Sequence, residues 1–159
     1  MTSEERRFDE RQLRERGKAF RLGFAVCMIT LIAMYCLTDF FELALPTRFA
    51  FYVCFWLPLT VTSVYMIVKR AYDGITDYRG MALFTFLGII SVVMAVFMIV
   101  RGEPMIENGL PTPDAGTAFM CACVFIMAAV YWIYHVKDVR EYNADIAEEK
   151  ARDKAGKTK

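Results

Sequence analysis

Four runs without a single charged residue divide this chain: 22–38, 49–68, 81–100 and 115–134. Each is long enough, at about 1.5 Å per helical residue, to cross a hydrocarbon core of about 30 Å. In lipid every backbone N–H and C=O must bond within its own segment or a closed barrel. None of the runs alternates polar and apolar residues as a barrel strand does, so the segments read as helices. The run 81–100 holds twelve Leu, Ile, Phe or Val residues and nothing that opposes insertion. The chain is 57% hydrophobic yet 23% charged, and both values coexist because the two residue classes are segregated.

The charges then give an orientation. Seven Lys and Arg precede the first span, three lie between spans two and three, and seven follow the fourth. Arg48 and Arg101 are the two in the remaining loops. Seventeen against two predicts both termini in the cytoplasm of a multi-pass cell-membrane protein. Residues 1–21 mix seven bases with five acids, and no small-x-small cleavage site follows the apolar run, so span one reads as a retained signal-anchor. The fold class expected is all-α: a bundle of four transmembrane helices with helical cytoplasmic extensions. Its parts are a cytoplasmic amphipathic N-terminal helix (1–21), a membrane domain (22–136) and a charged cytoplasmic helix and tail (137–159).

Thr2 and Glu5 have capping-box spacing, with Gly17 as a candidate break further on. Val136, Val139, Tyr142 and Ile146 repeat at helical intervals, so span four reads as continuing to the Gly156 tail. The loop 39–48 has length for a tight outer turn, and 101–114, with three prolines, reads as an irregular outer loop. Pro58 should bend helix two by leaving the Cys54 carbonyl without its donor, with Thr62 or a neighbouring helix relieving it.

The residues for most chemistries are absent from the pattern. Cys121 and Cys123 point about 200° apart on a helix and cannot share a metal, and the lone His135 has no histidine partners for zinc. Cys27, Cys36 and Cys54 also lie in apolar runs and read as packing residues; a Cys36–Cys54 bridge stays open. No ionisable side chain sits at membrane depth to grip an ion or serve as a base. No phosphate-binding glycine pattern occurs. The expectations are no catalytic, cofactor-binding or metal site, and no nucleic-acid partner, since acids balance bases at a net charge of +1. Ser91 with Ala95, and Ala118 with Ala122, have the small-xxx-small spacing of close helix packing, within one chain or between copies in a homo-oligomer.

Asp9-Glu10-Arg11-Gln12, then Arg16-Gly17 and Phe20, resembles the opening of a family of small bacterial four-helix membrane proteins of unassigned function. The stretch 66–75, with Ala71-Tyr72-Asp73, is similar to that family's cytoplasmic end of span two. The resemblance implies the same four-span architecture and carries no catalytic residue. Asp9, Gln12 and Arg16 can line one helical stripe. Asp9, Glu10, Arg11, Gln12 and Arg16 are thus the candidate cytoplasmic interaction cluster, facing Asp73, Asp77 and Arg79 or the helix from Lys137. The function expected is a non-enzymatic interaction or regulatory protein, embedded in the lipid bilayer, that presents this face to a cytoplasmic protein. The alternative is an oligomeric small-molecule or ion passage unit using hydroxyls and backbone.

Overall fold

The computed structural model describes residues 10–71, 78–102 and 104–156. Helix α1 (Glu10–Tyr35) runs through Gly17 without a break and widens into a single π-helical stretch, Cys36–Phe40. Helix α2 (Thr47–Val68) and helix α3 (Tyr78–Arg101) follow. Strands β1 (Ile106–Glu107) and β2 (Leu110–Pro111) form an antiparallel hairpin, and α4 (Pro113–Gly156) completes the chain. All four helices are long and apolar enough to cross a membrane. This is a multi-pass membrane protein. At about 1.5 Å per residue the 44 residues of α4 reach about 66 Å, twice the hydrocarbon thickness, so its charged half projects beyond the bilayer.

The loop 101–114 is more regular than its three prolines imply. Asn108 and Gly109 both hold positive φ (52° and 78°), the two-residue turn whose twist matches paired strands. The Thr112 hydroxyl donates to the Pro104 carbonyl (2.9 Å) and accepts from the Ala115 N–H (3.4 Å), closing the hairpin and capping α4 at once. Pro113 follows at the first helical position, where its missing N–H costs nothing.

The helices form an open row in the order α1, α2, α4, α3: among the described residues α1 packs chiefly on α2, α2 on α4, and α4 on α3. Close approach depends on glycines. A Cβ on Gly23 would stand 1.9 Å from Thr62 Oγ1, and one on Gly116 would stand 2.8 Å from the Tyr52 ring. A Cβ on Gly88 would meet the Ala128 methyl at 3.1 Å. Ile67, Phe84, Val124 and Met127 form the buried core, where Phe84 stacks on Tyr131 at 4.6 Å. Helix α2 stays α-helical through Pro58, and Thr62 donates to the carbonyl of Pro58 itself (2.7 Å) rather than to that of Cys54. All five cysteines are free thiols, so Cys36 and Cys54 are unbridged.

Candidate functional site

The bases and acids gather where the α2 C-terminus meets α1 and the projecting part of α4. The geometry starts with how α2 stops. Ala71 N–H bonds the Met66 carbonyl (2.9 Å) and Arg70 N–H the Ile67 carbonyl (3.0 Å), the paired bonds of a Schellman ending. That ending needs a left-handed residue, usually glycine, and here Arg70 takes it at φ 50°.

The side chain of Arg70 accounts for an arginine in that position. Its Nη2 lies 2.5 Å from Asp138 Oδ1 and donates to Glu141 Oε2 at 2.7 Å. Asp138 is buried (8% exposed), and its Oδ1 is held by charge, with no aligned hydrogen bond. Removing the guanidinium would leave this carboxylate uncompensated. Asp138 and Glu141 are three apart on α4, so one arginine reaches both. The Glu141 bond, then the Asp138 charge, raise the Arg70 pKa further, and the Arg70 bond holds the Glu141 carboxyl below its ordinary value.

On the other side of α2, Arg16 Nε donates to the Ala71 carbonyl at 2.6 Å. Glu15 Oε1 accepts from Lys18 Nζ (2.6 Å) and its Oε2 from the Tyr65 hydroxyl (2.9 Å). Those two hydrogen bonds, Lys18 first, lower the Glu15 pKa. Two adjacent residues of α2's ending, Arg70 and Ala71, thereby tie α4 and α1 to one point.

Of the cluster singled out from sequence, Arg16 takes part in this junction. Glu10 begins α1, Arg11 is exposed and Gln12 is half-buried. Asp9 lies outside the described residues, as do the expected partners Asp73 and Asp77. Arg16 meets the backbone at Ala71. Glu15, Tyr65, Arg70, Asp138 and Glu141 were not in that cluster. Their signal was faint: the i,i+3 spacings Glu15/Lys18 and Asp138/Glu141 mark shared faces but not what the faces meet.

Deeper in the row several hydroxyls bond carbonyls of their own helices. Thr30, Thr60 and Thr85 donate to the carbonyls of Val26, Trp56 and Met81, and Ser91 to that of Gly88. His135 stacks on Tyr131 (5.9 Å) and meets Trp132 edge-on. Among the described residues no three His, Cys, Asp or Glu side chains converge as a metal site would require.

The chain is similar to human transmembrane protein 182, 30% identical over 78 residues, which are 46% of this chain and 34% of the human protein. The chain thus spans about a third of the length of that curated relative. No protein-family model and no solved structure matches.

Proposed function

We propose that this is a non-enzymatic membrane interaction or regulatory protein whose charged end faces the cytoplasm of the cell and receives a protein partner there. The observation that carries this reading is the junction at Arg70, which fixes α1 and the projecting part of α4 to the end of α2. A helix that only crosses the bilayer has no use for so long a charged extension locked at its base. Beyond the lock, Tyr142 is 61% exposed among charged neighbours, a side chain that supplies contact area at low entropic cost. The sidedness rests on the excess of Lys and Arg at this end. Thr30, Thr60, Thr62 and Thr85 donate to carbonyls of their own helices, which supports this reading over a passage lined by those hydroxyls. The opening residues from Asp9 to Phe20 and the stretch 66–75 keep the small bacterial four-helix family as the kin we propose.

Photo-crosslinking in native membranes tests the reading. A crosslinker at Tyr142 should capture one reproducible cytoplasmic protein, and Arg70→Ala should reduce that capture severalfold without preventing insertion. Capture no different from that at the hairpin residue Ile106, together with solute flux through proteoliposomes, would contradict it.

A further inference from the structure

Helix α4 carries a second feature on a face that adjoins the Arg70 contact at Glu141. Trp132, Val136 and Arg140 lie within about 80° of one another around the helix, with Ile133 and Lys137 beside them. Tyr131, which packs on Phe84, and Asp138, which meets Arg70, fall on the other side. With Glu141 these five residues line a shallow, open groove of about 550 Å³ formed by α4 alone. Ile133 is 66% exposed and Trp132 39%, so the apolar part is uncovered by the rest of the chain.

We propose that this groove binds an anionic phospholipid of the leaflet at the charged end, its acyl chain along Trp132, Ile133 and Val136 and its phosphate between Lys137 and Arg140. Position and charge both point there. The uncharged run of span four ends at Tyr134, so the apolar half of the groove is at acyl depth and the cationic half at headgroup depth. Tryptophan followed one and two turns later by cations is the side-chain order of a membrane–water boundary. Glu141, the one acid in the lining, shares Arg70 (2.7 Å) with Asp138 and has Lys137 as a further contact at 3.9 Å, so against this single acid the lining holds two cations, Lys137 and Arg140. Arg140 has no protein partner among the described residues. Basic groups at this depth favour anionic headgroups. The assignment goes beyond the protein-partner reading and stands whichever way the chain is oriented.

The chain has two tryptophans, Trp56 and Trp132, so Trp56→Phe leaves Trp132 as the reporter. In mixed micelles brominated phosphatidylglycerol should quench Trp132 with a midpoint roughly tenfold below that of brominated phosphatidylcholine. Lys137→Gln with Arg140→Gln should erase the difference while leaving helicity unchanged. Native mass spectrometry of the chain with both tryptophans gives an independent reading, with phosphatidylglycerol retained by the parent and lost from the double variant. Equal midpoints for the two lipids, or a preference that survives the double variant, would overturn the assignment. Equal midpoints with crosslinks between copies at Val136 would give the groove to a second copy and overturn it equally.

Discussion

At the scale of single residues, Arg70 combines a conformational cost with an electrostatic role. A non-glycine residue in the left-handed region costs roughly 1–2 kcal/mol, and the ion pairs to Asp138 and Glu141 offset it. Alanine there would keep the strained backbone and lose the guanidinium, whereas glycine would lose the guanidinium alone. Arg70→Ala should therefore lower detergent-solubilised stability by about 1–3 kcal/mol, and Arg70→Gly by less. Adding Asp138→Asn should return part of the loss by removing the uncompensated charge. Equal melting temperatures for parent, Arg70→Ala and Arg70→Gly would show that the pairs are solvated decoration. None of this was legible in the chain, where Arg70 counts only as one of the bases that set orientation. Its partners lie 68 and 71 residues away, and no local spacing announces a contact of that separation.

Among the elements, spans and glycine contacts differ in how readily the sequence reveals them. The bilayer forbids unpaired charge and unbonded backbone, so four long uncharged runs leave helices as the solution, and the structure has them at 47–68 and 78–101 as at the other two. Which helix touches which is another matter. A lipid-facing side and a helix-facing side are both apolar, so no periodicity distinguishes them and the order α1, α2, α4, α3 is hidden. The hairpin was legible in principle from Asn108-Gly109, but the surrounding prolines dominate the stretch. Gly23 gives the row its sharpest test. A methyl there collides with Thr62 Oγ1, and rotating Thr62 away would forfeit its bond to the Pro58 carbonyl. Gly23→Ala should cost about 1–3 kcal/mol by parting α1 from α2, read as a lower melting temperature. Gly17→Ala, with nothing within 4 Å of the added carbon, should be neutral or mildly stabilising. Equal effects of the two would contradict the α1–α2 contact.

For the whole molecule, the proposed function depends on which side of the membrane holds the junction at Arg70. The hairpin and the end of α4 lie on opposite ends of a helix about twice as long as the bilayer is thick. A single cysteine can be placed at each, Leu110→Cys in β2 and Ala155→Cys near the end of α4, in a chain whose five native cysteines all lie within membrane-spanning runs. Labelling of intact cells with a membrane-impermeant maleimide is the most direct measurement. Position 110 should react from outside, and position 155 only after the membrane is opened. Reaction of position 155 in intact cells would put the charged junction outside and contradict the cytoplasmic function proposed for it.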